Sequence, residues 1–366
     1  MNKKLNVLIV FGGKSAEHEI SVLSARSIAQ ALPEDEFNLC FVGICRNGNW
    51  VTEDKAKEAL QKGLVEDQES NVFIRPGNRH NFLTIIKEDG QQKTLNIDIV
   101  LPVLHGTFGE DGTIQGLFEM SEIPYVGAGV LASALGMDKS MIKDVWKEHG
   151  LPVLPSLTYL RSKIEENIDV CAEEIGKELG FPCFVKPANS GSSVGITRAC
   201  NNDELKESLK LAIKFDRKIL VEKACISPRE IEIAVLGNDV PECSVPGEIT
   251  YTSQFYDYQT KYLNEGNTQL LIPAPIDQST VDRITETAKE AWRAVYLNGL
   301  GRIDFLLDKN GNIWLNEVNT FPGFTQFSMY PKLWEASGVK YAELLKKLIN
   351  LAIERFDDNQ RNLFKP

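Results

Sequence analysis

No apolar run in the 366-residue chain approaches the roughly 20 residues a membrane-spanning helix needs. The opening MNKKLNVLIVFGGKS has an apolar core of only about seven residues, with charge where a cleavage site should be. It reads as a first buried strand, not a secretory leader. Cysteine is sparse: seven residues (Cys40, Cys45, Cys171, Cys183, Cys200, Cys225, Cys243), scattered and without a CxxC pair. An odd, scattered set is expected as reduced thiols in a cytoplasmic protein. Histidine is scarcer still, at four, which argues against zinc. Basic charge is in deficit, 40 Lys and Arg against 51 Asp and Glu for a net −11. That balance argues against nucleic acid or an anionic membrane as partner, although local basic pockets stay open. No internal repeat or low-complexity tract is evident.

What is present is ordinary globular material, 43% hydrophobic and 25% charged, long enough for two or three domains. Three regions are expected. Residues 1–126 open with LNVLIVFGG, a helix from about Ala16 to Leu32, and strands at NLCFVGIC and IDIVLPVLHG. Buried strands alternating with helices suggest an α/β fold with a doubly wound parallel sheet. Between Asn47 and Lys93 the sequence is polar and weakly patterned, and only a surface excursion is expected. Residues 127–225 contain a helix capped by Asp138 and ended by Gly150 and Pro152. Strand FPCFVKP, loop ANSGSSVGIT, a helix capped by Asn201 with Glu204, and strand KILVEKAC follow. Residues 226–366 begin with REIEIAVLGNDV, alternating as in a half-buried strand. A tyrosine-rich polar stretch, YTSQFYDYQTKYLNEGNTQ, has the length and aromatic content of an active-site lid. Helices near 280–297 and 341–356 flank a hairpin.

That hairpin, GRIDFLLDKNGNIWLNEVNT, carries the most chemistry. Asn310-Gly311 favours a two-residue turn, so Lys309 faces Asn312. Counting outward, Asp304 faces Glu317 and Arg302 faces Asn319, all on one face. Facing carboxylates destabilise a sheet unless a cation lies between them. Oxygen donors without His or Cys suit Mg²⁺ or Mn²⁺, which usually draws further ligands from phosphates. A nucleotide–metal site follows, with an ordinary charged hairpin as the alternative.

Other phosphate signals differ in strength. FGGKS lacks the first glycine of a Walker A loop, with Leu8 in its place. The GxGxxA pattern in VGAGVLASALG lacks a confirming ribose carboxylate and reads better as a helix-entry turn. The loop from Lys186 to Gly195 is stronger, because its small residues, Ser192 and Ser193 among them, let backbone N–H groups close over phosphate oxygens. Lys139 lies in a first helical turn, where the dipole disfavours a cation; a polyphosphate nearby, or solvent, would answer that. Glu222 and Lys223 end a strand and either face a purine or form a surface ion pair. Glu17 either complements a helix dipole or binds a ligand.

The order of these features resembles an ATP-grasp ligase, and more closely the D-alanine–D-alanine ligases. The likeness covers nearly the whole chain, through GGKSAEHEIS, LHGTFGEDGTIQG, GMDKS, KPANSGSSVG, FYDYQTKY, GRIDF and NEVNTFPGFTQFSMYP. It implies a three-domain ATP-grasp architecture, with ATP and two Mg²⁺ (or Mn²⁺) between the second and third domains. D-Alanine would be phosphorylated by ATP to an acyl phosphate, and a second D-alanine would displace phosphate to give a peptidoglycan precursor. The resemblance assigns Asp304, Glu317 and Asn319 to the metals. Lys139, Lys186 and Lys261 surround the phosphates, Ser192 and Ser193 line the loop, and Glu222, Lys223 and Glu230 hold adenosine. Arg302 and the Gly323 N–H stabilise the oxyanion. Glu17 binds the first ammonium and joins a network through Ser192 to Tyr262. His105 and Lys261 border the first substrate, and Ser328 holds the second carboxylate. Phe321 and Phe324 depart from the smaller residue and the Met of some members, which leaves subsite shape open. A homodimer stays open as well. Another ATP-grasp ligase, a nucleotide-dependent oxidoreductase and a non-catalytic ATP-binding regulator are the competing functions.

Overall fold

The computed structural model describes residues 4–77, 82–87, 89–251 and 268–363. The chain begins with β1 (Leu5–Gly12), α1 (His18–Ala31), β2 (Phe37–Ile44), β3 (Trp50–Thr52) and α2 (Asp54–Lys62). β4 (Val72–Ile74), β5 (Leu83–Ile86), β6 (Gln92–Leu95), β7 (Ile99–Val103) and α3 (Thr113–Met120) follow. β1 pairs in parallel with β2 and β7, and β3 adds an antiparallel edge, giving the order β3-β2-β1-β7. The N-terminal sheet is therefore mixed but mostly parallel. The expected excursion at 47–93 instead holds β3, α2 and a small antiparallel sheet, β4-β5-β6. Strands of three or four residues are too short to display a period.

Next come α4 (Val130–Met137), α5 (Lys139–Glu148), β8 (Ser156–Leu160), α6 (Arg161–Glu166) and α7 (Ile168–Glu178). β9 (Cys183–Pro187), β10 (Thr197–Ala199), α8 (Asn202–Ala212) and β11 (Lys218–Lys223) complete an antiparallel sheet, β10-β9-β11-β8. Both expected caps form. Asp138 accepts from the N–H groups of Ser140 and Met141, and Asn201 from that of Glu204. Gly129, in the rejected dinucleotide pattern, is a helix N-cap.

The last part holds β12 (Arg229–Gly237), β13 (Glu242–Cys243), β14 (Gly247–Tyr251), β15 (Thr268–Leu271) and α9 (Gln278–Ala294). β16 (Gly299–Leu307), β17 (Ile313–Asn319), α10 (Met329–Ala336) and α11 (Tyr341–Asn359) close it. Its sheet runs β15-β14-β12-β16-β17, with β13 beside β12. β12 is central and, from Ile231 on, buried on both faces instead of half-buried.

The hairpin pairs as expected, Asp304 with Glu317 and Arg302 with Asn319, but by another route. Leu307 pairs with Ile313, and the N–H of Asp308 bonds to the carbonyl of Asn312. The loop is thus Lys309, Asn310 and Gly311, one residue longer than a two-residue turn. The register then shifts between Asp304 and Phe305, where the extra residue Asn316 forms a bulge. The longer loop and the bulge cancel.

Apolar packing ties these parts together. One cluster joins Val7, Ile9 and Val103 of the first sheet to Phe324, Leu345 and Ile349 near the C-terminus. A second packs Trp146 and Ile142 of α5 against Ile231, Ile303 and Trp292. The sheet β10-β9-β11-β8 has its own cluster, drawn wholly from residues 157–221.

Gly311 has φ +81 and open space where a Cβ would project. Gly311→Ala therefore meets backbone strain without a clash, and we expect a stability loss of about 1–2 kcal/mol. Denaturant unfolding should show it with turnover unchanged; a variant as stable as the parent would contradict this turn geometry.

Candidate active site

The charged face of β12, β16 and β17 forms the floor of a cleft of ≈ 980 Å³. Antiparallel register sets Glu232, Asp304 and Glu317 abreast on neighbouring strands. Arg302 offsets two of them. Its Nε and Nη2 donate to the two Asp304 oxygens at 2.7 Å each, and Nε lies 2.9 Å from Glu232. Burial works against the guanidinium charge, but Asp304 and Glu232 raise its pKa well above the ordinary value. Asn319 Nδ2 donates to Asp304 Oδ2 at 3.0 Å, and Glu317 lies 3.4 Å from Lys139 Nζ. Among the described residues no three His, Cys, Asp or Glu side chains converge into a metal cage. The donors are oxygens on an acid-rich floor, which fits Mg²⁺ or Mn²⁺ completed by phosphate ligands.

The second wall is the loop after β9. Ser192 and Ser193 have φ 51 and 58, consecutive left-handed residues of the kind that cluster at ligand clamps. Lys139 Nζ donates to the Ser190 carbonyl at 3.0 Å, which draws the loop toward α5. Lys186 Nζ donates to Glu222 Oε2 at 2.7 Å. Burial opposes ionisation of Glu222, yet Lys143 and Lys186 hold its pKa below the ordinary value. Lys223 and Glu230 line the same end of the cleft. The Glu222 side chain is thus a buried ionic anchor and not part of a surface ion pair.

The third wall comes from the first sheet. Glu17 precedes α1 but makes no side-chain cap. Instead, Ser192 Oγ donates to Glu17 Oε1 at 2.6 Å, across 175 positions of sequence. The backbone crowds this carboxylate: a Cβ on Gly106 or Gly191 would lie 2.7 or 3.3 Å from Glu17 Oε2. His105 is buried, its Nδ1 3.0 Å from the Phe321 carbonyl and its Nε2 3.3 Å from Ser24 Oγ. Burial lowers its pKa against the pull of Glu17, so the ring is neutral at neutral pH. Gly323 and Ser328 border the same space. Ser328 Oγ accepts from the Thr325 N–H at 3.1 Å and lies 2.9 Å from the Thr325 hydroxyl. Phe321 and Phe324 are buried with ring centroids 5.9 Å apart.

The structure thus gathers Glu17, His105, Lys139, Lys186, Ser192, Ser193, Glu222, Lys223, Glu230, Arg302, Asp304, Glu317, Asn319, Gly323 and Ser328 around one cleft. Lys261, Tyr262 and residues 252–267 of the expected lid lie outside the described residues, while the two ends of that stretch close β14 and open β15. Three groups were missed by sequence reasoning. Glu232 was hidden in REIEI, where alternation would have placed it beside Glu230 on the charged face. Lys143 sat within an apolar helical stripe. Glu110 was quoted in LHGTFGEDG without a role.

The sequence pattern described as "D-ala D-ala ligase N-terminus" matches residues 6–128, and that described as "D-ala D-ala ligase C-terminus" matches residues 145–350. The chain belongs to the D-alanine–D-alanine ligase family. A D-alanine–D-alanine ligase of Thermoanaerobacter sp. strain X514 is 46% identical over 360 residues, spanning 98% of this chain and 99% of the relative. One from Heliobacterium modesticaldum is 47% identical over 365 residues, covering 98% and 97%. Among solved structures, the VanG D-Ala:D-Ser ligase of Enterococcus faecalis is 34% identical with a TM-score of 0.85, covering 96% of this chain and 100% of its own. The D-alanine–D-alanine ligase of Coxiella burnetii is 32% identical with a TM-score of 0.83, covering 98% and 96%. These likenesses extend over the whole ATP-grasp ligase fold.

In this ligase Glu110 joins two walls of the cleft. It accepts from the N–H of Gly106 at 2.6 Å and of Phe321 at 3.1 Å. Burial, then the Glu17 carboxylate, pushes its pKa from 4.5 up to about 8. Between those values the folded protein holds a proton that the unfolded chain has lost, so stability falls as pH rises through the window. Glu110→Gln, neutral throughout, should flatten that slope in melting temperatures taken across the window. An unchanged slope would show that Glu110 does not set it.

Proposed function

We propose that this protein is an ATP-dependent ligase that joins two D-alanine molecules into D-alanyl-D-alanine for peptidoglycan precursor synthesis, releasing ADP and phosphate. The observation that carries the reading is the Ser192–Glu17 hydrogen bond of 2.6 Å. It closes an amino-acid wall onto a phosphate-type loop directly above an acid-rich floor.

A carboxylate must become an electrophile before an amine can displace oxygen from it. Transfer of the γ-phosphoryl group of ATP to D-alanine gives an acyl phosphate, and the second amine then expels phosphate through a tetrahedral intermediate. Phosphoryl transfer of this kind depends on positioning and charge neutralisation. Glu17 binds the first ammonium, and the neutral His105 ring borders that substrate. Lys139 and Lys186 face the phosphates beneath Ser192 and Ser193, and the family resemblance adds Lys261. Glu222 through its backbone, with Lys223 and Glu230, forms the adenosine end, while the Glu222 carboxylate anchors Lys186. Arg302, held rigidly by its two carboxylates, and the Gly323 N–H face the developing oxyanion, while Ser328 holds the second carboxylate. Asp304, Glu317 and Asn319 would hold two Mg²⁺ or Mn²⁺ ions, which supply charge neutralisation to the phosphates. By the family resemblance Tyr262 would join the network through Ser192 and Glu17. The chain divides near residues 126 and 225 into three domains, an N-terminal substrate-side domain and two that grip ATP between them. No helix among the described residues is long and apolar enough to cross a membrane, which is compatible with a cytoplasmic enzyme.

Phosphate release with ATP, Mg²⁺ and a panel of D- and L-amino acids tests this reading. We expect release with D-alanine, whereas silence with every D-amino acid would overturn it. Asp304→Asn and Glu317→Gln should each lower turnover about 100-fold or more without unfolding the protein. Near-normal rates at saturating Mg²⁺ in both would remove the carboxylate floor from the mechanism.

The nucleophile can be tested separately. A phenol such as Tyr262, with an ordinary pKa of about 10, is a poor base near neutral pH, so an amine that arrives uncharged is favoured over a hydroxyl. With D-alanine and D-lactate in competition from about pH 6 to 9, D-Ala–D-Ala should dominate and rise with pH. Depsipeptide as the main product at neutral pH would overturn the Tyr262 assignment and the choice of substrate.

A further inference from the structure

Lys143 lies on the face of α5 that packs into the protein, beside Ile142 and one turn from Trp146, and it is buried. A lysine there needs a reason, because a buried ammonium is unfavourable unless paired. Its Nζ lies 2.5 Å from Glu222 Oε1 and donates to the Leu315 carbonyl at 3.3 Å. The other Glu222 oxygen takes Lys186 Nζ at 2.7 Å. One carboxylate is therefore shared by two lysines, one inside the protein and the other at the wall of the cleft. Lys139, the other described lysine expected at the phosphates, stands 3.4 Å from Glu317.

We propose that Lys143 is a positioning residue for the nucleotide: it neutralises Glu222 from behind, so that the charge of Lys186 stays available to polyphosphate. The inference rests on the ATP-binding reading above. If Glu222 had only Lys186 as partner, the two would form a self-cancelling pair, and an incoming phosphate would have to compete with a buried carboxylate for that ammonium. With Lys143 present, the three groups carry one net positive charge. The helix that presents Lys139 to the cleft at its first residue thus also sets the electrostatics of the cleft from its buried face.

The effect must depend on ligand charge, and that separates it from packing. Binding of ADP and of adenosine to the full-length protein, measured by titration calorimetry, should diverge. Lys143→Met keeps length and apolar volume but removes the ammonium. It should weaken ADP about tenfold or more, the scale of one charge-assisted hydrogen bond, while adenosine changes little. Lys143→Gln, which can still donate to Glu222 and to the Leu315 carbonyl, keeps the test available if the Met variant does not fold, and it should show the same divergence. Lys143→Arg should restore ADP binding. Parallel losses for ADP and adenosine would mean a structural role, and unchanged ADP affinity would mean none at the site; either overturns the proposal. Failure of the wild type to bind ADP would instead remove the nucleotide reading, and this inference with it.

Discussion

Arg302 is the constraint on which the working face of the third sheet depends. Glu232, Asp304 and Glu317 stand abreast because strand register leaves them no alternative. Without a counter-charge, three carboxylates in line would work against the pairing of β12, β16 and β17. The guanidinium reaches two of them at once, with a planar fork that matches Asp304. On the opposite face Ile231, Ile233, Ile303 and Phe305 enter the core. The same strands thus hold an apolar layer beneath and a charged layer above, which requires a central strand buried on both sides.

Much of this was legible because alternation in a strand and capping at a helix end are local rules. Asp138 and Asn201 cap as their sequence contexts indicate, and the Asp304–Glu317 pair follows from a period of two. The hairpin also shows how a local rule can succeed by compensation. Counting from Asn310-Gly311 assumed too short a loop, and the bulge at Asn316 restored the count. Lys143 shows the opposite: an apolar stripe conceals a charged member whose partner lies far along the chain. The short strands between residues 47 and 93 carried no readable period.

The contact between Glu17 and Ser192 lies beyond any such rule. No pattern within either segment points to the other, and only the family resemblance joined them before the fold was known. The structure explains why the contact is tight. Glycines at 106 and 191 let backbone approach the carboxylate, and two left-handed serines turn the loop toward it. Residue size and backbone conformation thus work together at one oxygen.

The ownership of the apolar clusters bears on how the molecule is partitioned mechanically. Both ends of the chain contribute to one shared core, since β1 and α11 lie in the same cluster. Residues 157–221 keep a cluster to themselves. The first region also keeps a cluster of its own, drawn wholly from residues 8–125, on the other side of its sheet strands from the shared core. Shortening the C-terminal helix would then loosen the first sheet, some three hundred residues away in sequence, before it disturbed residues 157–221.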